Sequence, residues 1–101
     1  MVIIEVLLSA GVITPADLPK LVRQVSETVP PVSVATQVVC ISGRLPVWCF
    51  AALAHLYHPA KAVGTFDPRL SGGVVVASHD PAYNIGDVIP EEGCKKVTIT
   101  F

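Results

Sequence analysis

One stretch constrains the fold more than any other: Cys40-Ile41-Ser42-Gly43-Arg44-Leu45-Pro46-Val47-Trp48. A β-branched run ends at Ile41, a small polar turn carrying one arginine follows, and Pro46 opens a very apolar helix. Proline suits the first helical position, because the N–H it lacks would have no partner there. A strand feeding a helix through a short turn is the unit from which α/β sheets are built. It gathers a glycine, a hydroxyl, a guanidinium and a helix N-terminus at the carboxyl end of a strand. Open α/β sheets hold phosphates and nucleotides at such places.

The rest of the chain continues the alternation. Residues 2–8 read as a strand that is apolar on both faces except at Glu5. Thr14-Pro15-Ala16-Asp17 reads as a helix start, with Thr14 as N-cap and Pro15 at the first position. Leu18, Leu21, Val22 and Val25 then share one face, while Lys20, Arg23, Gln24 and Glu27 point elsewhere. Pro19 conflicts locally with that start, and Pro30-Pro31 ends the segment. A second strand is expected over residues 34–41 and a second helix over 46–57. That helix has no lysine, arginine, aspartate or glutamate, and Trp48, Phe50, Leu53, Leu56 and Tyr57 spread around it. Such a helix is covered on more than one side, here by the sheet and by a second subunit. Strands over 62–66 and 73–77 flank a turn, a loop runs from 78 to 90, and 97–101 alternates like a strand with one exposed face. The order β-α-β-α-β-β-β predicts one α/β domain over residues 1–101. It is a small Rossmann-like sheet with antiparallel additions, and dimeric.

Composition narrows the function. The chain of 101 residues is 51% hydrophobic with mean hydropathy +0.62, yet no apolar run reaches the roughly 18 residues of a membrane span. The oily start lacks a basic segment and carries Glu5, so it reads as a buried strand rather than a signal peptide. The surplus of apolar residues points to subunit contacts. Net charge is −1, which argues against a groove for long nucleic acid and leaves room for a small anion held by a few placed arginines. Cys40, Cys49 and Cys94 have no CxxC spacing and read as reduced thiols of a cytoplasmic protein.

Several polar residues could carry chemistry. Arg44 either joins backbone amides in a phosphate cradle or is a solvated turn residue. Neither GxGxxG nor a Walker sequence is present. Trp48 is a core aromatic or a stacking surface for a base. Asp67-Pro68-Arg69 is a favoured turn start that also sets a carboxylate beside a guanidinium at a strand end. His55 and His58 lie three apart at the end of the second helix, where they could ligate a metal, act as bases or interact with the helix dipole. His79 opens the loop after Val74-Val75-Val76-Ala77, and Asp80, Tyr83 and Asp87 either extend a site or solvate that loop. The expectation is one sheet edge that collects Arg44, Asp67, Arg69 and His79.

Taken together, ISGRLPVW, AHLYHP, TFDPRLSGGVVVASH and GDVIP resemble the third family of ring nucleases of type III CRISPR systems. These are distant relatives of the CRISPR-associated Rossmann-fold sensors. The likeness runs from Ile41 to Pro90 in order and spacing, while the first forty residues match in length and general pattern. The extra glycine in Ser71-Gly72-Gly73 departs from the family pattern. The resemblance implies binding of cyclic tetra-adenylate and its Mn²⁺-dependent linearisation. It implies a homodimer whose ligand face meets a second dimer, so that ring-holding and catalytic residues come from opposite partners. Carried over by motif, Ser42, Gly43 and Arg44 line the ligand face, with Pro46, Trp48 and His79 beside them. His58, Asp67 and Arg69 form the catalytic group, and Asp67 and His79 ligate the metal. Two other readings stand beside this one: a non-catalytic sensor or sponge for the ring, and an exoribonuclease trimming adenosines from RNA 3′ ends. The nucleophile, a 2′-hydroxyl or a water, is left open.

Overall fold

β1 (Val2–Leu7), β2 (Val38–Gly43) and β3 (Ala62–Asp67) are parallel neighbours, linked through α1 (Leu18–Thr28) and α2 (Val47–Leu56) in the computed structural model, which describes residues 1–101. Both crossovers step the same way along the sheet. Their right-handedness therefore lays both helices on one face. β4 (Gly72–Ser78) runs antiparallel to β3, and β5 (Val88–Pro90) antiparallel to β4. β6 (Lys95–Thr100) returns to the other flank and pairs in parallel with β1, giving the order β5-β4-β3-β2-β1-β6. The antiparallel additions are thus β4 and β5 alone. β5 lies inside the stretch expected as loop, its three residues held by partners at Gly72, Gly73 and Val74.

Prolines account for where the elements differ from the expected bounds. Pro31 locks φ and has no N–H for a ladder, so residues 31–34 form a 3-10 turn and the second strand begins at Val38. Pro15 likewise starts a 3-10 turn ahead of α1, and Pro19 becomes the second residue of that helix, where no intrahelical N–H is required. Thr14 closes the turn: its N and Oγ1 both donate to Asp17 Oδ2, at 3.1 and 3.0 Å. Those bonds hold the Asp17 carboxyl below its ordinary range.

Val2, Ile4 and Val6 of β1, Val39 and Ile41 of β2, Val63 and Ile99 face the helices, where Leu21, Val25, Cys49, Leu53 and Tyr57 are buried. Tyr57 donates its hydroxyl to the Val29 carbonyl at 2.8 Å, which pins the end of α2 to the end of α1. The second cover of the apolar helix is therefore α1 of the same chain, and among its large apolar side chains Val47 stands out, 82% exposed.

The opposite face is closed by the sheet itself. A Cβ on Gly64 would lie 2.9 Å from the Val74 carbonyl oxygen, and one on Gly73 would lie 2.7 Å from Cys40 Sγ. With both side chains missing, β4 folds close over β2, and a register shift at Val63/Gly64 sharpens the bend. Met1, Tyr83 and Ile89 complete a small second core on Val38, Ala62 and Val75. The three cysteines are free, and burial pushes the Cys40 thiol up to about 12. No helix is long and apolar enough to cross a membrane.

Candidate functional site

Parallel pairing brings the carboxyl ends of β1, β2 and β3 to one edge of the sheet. A cavity of about 590 Å³ opens there, lined among others by Glu5, Leu8, Ser42, Gly43, Arg44 and Phe66. Ser42 is buried as the next-to-last residue of β2, and Arg44 leaves the turn exposed. Gly43 is required between them: its φ is +143°, and a Cβ would lie 2.5 Å from the Val6 carbonyl oxygen. The turn hugs β1 and leaves the space above it open.

Asp67 ends β3 at the same edge. It accepts from the Arg69 backbone N–H at 2.9 Å, from Arg69 Nε at 3.1 Å and from Nη2 at 2.8 Å. Asp67-Pro68-Arg69 is thus a turn and a paired carboxylate–guanidinium together. Hydrogen bonding to Arg69, then its charge, holds the Asp67 carboxyl below its usual range and the guanidinium above its own. The Arg69 side chain is exposed and the Asp67 side chain partly buried. The edge therefore gathers the two arginines and the aspartate that were expected there.

His79 is not with them. Because β4 runs antiparallel, its end returns to the start of β3, and His79 N–H donates to the Lys61 carbonyl at 2.8 Å. There it meets His58, which follows α2: His79 Nε2 and His58 Nδ1 are 3.3 Å apart. The rings stand edge to face with centroids 4.8 Å apart, and His55 stacks on His58 at 6.4 Å. The three imidazoles line a second cavity of about 260 Å³ with Ala54, Val63 and Ala77. The length of β3, about 16 Å at the rise of a strand, separates this group from Asp67.

Within one chain, then, His58 does not join Asp67 and Arg69, and Asp67 and His79 do not share a metal. No group of three or more histidine, cysteine or acidic side chains gathers around a metal position. Two imidazoles alone do not fit a divalent cation such as Mn²⁺, which takes more ligands, mainly oxygens. Nor do Pro46 and Trp48 line the first cavity: Pro46 caps α2, and Trp48 packs against the helix-side core. Asp80 and Asp87 hold their own loop, accepting from Ala82 N–H and Asn84 N–H at 2.8 Å each, and Tyr83 packs in the second core.

Among the cavity residues not expected as ligand contacts are Glu5 and Phe66. Glu5 was visible as the single charge in an otherwise apolar strand, and Phe66 as the aromatic preceding Asp67. The placement of His79 also had a signal. Residues 68–71 are too few for a crossover, so the next strand had to run back and end at the opposite edge.

Most of the chain matches a known family. A family model described as CRISPR-associated protein (Cas_csx3) matches residues 7–90. An uncharacterized protein of Aquifex aeolicus (strain VF5) is 52% identical over 59 residues, which cover 58% of this chain and 53% of that protein. The match thus spans about half the length of this relative.

Proposed function

This chain belongs to the Cas_csx3 family of CRISPR-associated proteins, and on that premise we propose that it is a phosphodiesterase that binds and linearises cyclic tetra-adenylate, switching off type III CRISPR signalling. The observation that carries the reading is the cavity at the ends of β1–β3, with Ser42, Gly43 and Arg44 in its wall. A buried hydroxyl, a glycine turn open to approach and an exposed guanidinium suit a phosphodiester. Phe66 in the same wall supplies an aromatic surface for a base. A net charge of −1 suits a small ring with four phosphates better than a long polyanion.

Arg44 and the turn hold ring phosphates in this mechanism. Arg69, oriented by Asp67, neutralises charge building on the scissile phosphate. His58, in contact with His79, moves a proton to or from a sugar oxygen. His58 and Arg69 lie at opposite edges of one chain, so the ring would be opened between two copies, the cavity edge of one meeting the histidine edge of the next. Homodimers that stack around the ligand provide that arrangement. Ring opening on this reading depends on Mn²⁺. Since one chain does not gather a ligand set, Asp67 of one copy and His79 of another would have to supply ligands jointly, which leaves His58 free to move the proton.

The same separation favours a second reading: an isolated copy holds the ring without opening it, as a sensor or sponge. Cleavage of labelled cyclic and linear tetra-adenylate, with Mn²⁺ or EDTA, by wild type and Asp67→Ala tests both. Metal-dependent ring opening lost in the variant supports the nuclease. Tight binding without cleavage at any protein concentration supports the sponge, and preferred shortening of the linear form from its 3′ end supports an exoribonuclease.

A further inference from the structure

Glu5 is unexplained by that mechanism: the wall of a cavity offered to a polyanion carries a carboxylate. By charge alone this side chain repels the ligand. It stands in a row across the strands, in register with Thr98 of β6 on one side and Ser42 of β2 on the other. Phe66 of β3 lines the same cavity beyond Ser42. Lys96 Nζ lies 3.2 Å from Glu5 Oε2, and Thr98 Oγ1 donates to Oε1 at 3.4 Å. The lysine offsets the charge, and the two contacts orient the carboxylate. A quarter of the side chain remains exposed.

A carboxylate offers acceptors only, about four lone-pair positions, so two contacts leave capacity free. From a nucleotide it can take a base N–H or a sugar hydroxyl. The phosphate-holding turn begins on the adjacent strand, about 4.8 Å away. The 2′-hydroxyl sits on the carbon next to the one bearing the 3′-phosphate, whereas the base edge lies across the sugar. Proximity to the phosphate position favours the hydroxyl.

We propose that Glu5 reads the ribose 2′-hydroxyl of a nucleotide whose phosphate is held at Ser42-Gly43-Arg44, so that the cavity selects ribonucleotides over deoxyribonucleotides. This inference rests on the reading of the cavity as a nucleotide site and names the residue that sets its sugar specificity.

Equilibrium binding of cyclic tetra-adenylate and its all-2′-deoxy analogue to wild type, Glu5→Gln and Glu5→Ala tests it. Binding is read rather than cleavage, so proton transfer at the histidine edge does not enter. Wild type is expected to favour the ribose ring by about tenfold or more, the worth of one hydrogen bond to a charged acceptor. Glu5→Ala is expected to bring the two rings within about twofold, with deoxy-ring affinity unchanged or higher as a repelling charge is removed. Glu5→Gln is nearly isosteric and keeps an acceptor, so it retains part of the preference and guards against a folding artefact. Equal binding of both rings by wild type, or full preference in Glu5→Ala, overturns the inference and leaves the ring-binding function standing. A wild type that binds neither ring overturns the proposed function itself, and this inference with it.

Discussion

His58 and His79, twenty-one residues apart in sequence, meet Nδ1 to Nε2 at 3.3 Å, one ring edge-on to the other. One of the two nitrogens carries the proton and the other accepts it, so each ring fixes the tautomer of its neighbour. The contact exists because α2 ends and β4 returns at the same edge, the one that Asp67 and Arg69 do not occupy.

That separation predicts complementation. His58→Ala and Asp67→Ala are each expected to lack ring opening. Their equimolar mixture should recover about a quarter of wild-type activity, since random pairing of the two edges yields one intact junction in four. The assay is single-turnover cleavage of labelled ring at rising protein concentration. No recovery at any concentration would place the whole reaction within one copy.

Arg44 projects beside the cavity, and no hydrogen bond or ion pair to another side chain holds it. Arg44→Ala is expected to weaken ring binding by tenfold or more, about 1.5–3 kcal/mol for a charge-assisted hydrogen bond, without shifting the urea midpoint. Filter binding and urea unfolding read the two quantities separately. Unchanged affinity would make Arg44 a solvated turn residue.

Asp67 is held ionised by Arg69. Removing the guanidinium should return the carboxyl toward its ordinary value, so Arg69→Gln raises the Asp67 pKa. Carboxyl carbon NMR titration of the two proteins checks the direction. In wild type, any stability from this pair is present above the unfolded-state pKa and fades as pH falls through the lower folded value; at so exposed a pair it is small.

At the alkaline end the sign reverses. Burial raises Cys40 from 9.0 and Tyr57 from 10.0, each to about 12. Between those values the folded chain binds more protons than the unfolded one, so stability is full below pH 9 and falls as pH rises toward 12. The slope approaches about 1.4 kcal/mol per pH unit for each group. Urea midpoints across this range measure it, and Tyr57→Phe should flatten the part above pH 10. The same variant removes the donor to Val29 and is expected to lose about 1–2 kcal/mol at neutral pH.

Closure of the bare face predicts unequal glycine variants. Gly64→Ala meets a backbone carbonyl that cannot move aside, and should cost about 1–3 kcal/mol. Gly73→Ala meets the Cys40 thiol, so in a Cys40→Ala background its cost should vanish. Double-mutant cycles by urea unfolding test the pairing.

Local pattern made much of this legible. Apolar runs, the 3.6 spacing of Leu18, Leu21, Val22 and Val25, and the Ser42-Gly43-Arg44 turn all report interactions between near neighbours. The short strand β5 escaped because three residues carry no period, and the turn at Pro31 because proline is compatible with both a turn and a strand end. Trp48 carried two readings that only its neighbours could separate.

By itself, the sequence determined an alternating α/β chain and the polar motifs at its strand ends, because those depend on residue type and on contacts a few positions away. The tertiary structure alone decided which motifs share an edge, that Glu5 enters the cavity wall, and that β4 closes over Cys40. Strand direction, sheet order and curl are set by pairings between distant segments, and no local period encodes them.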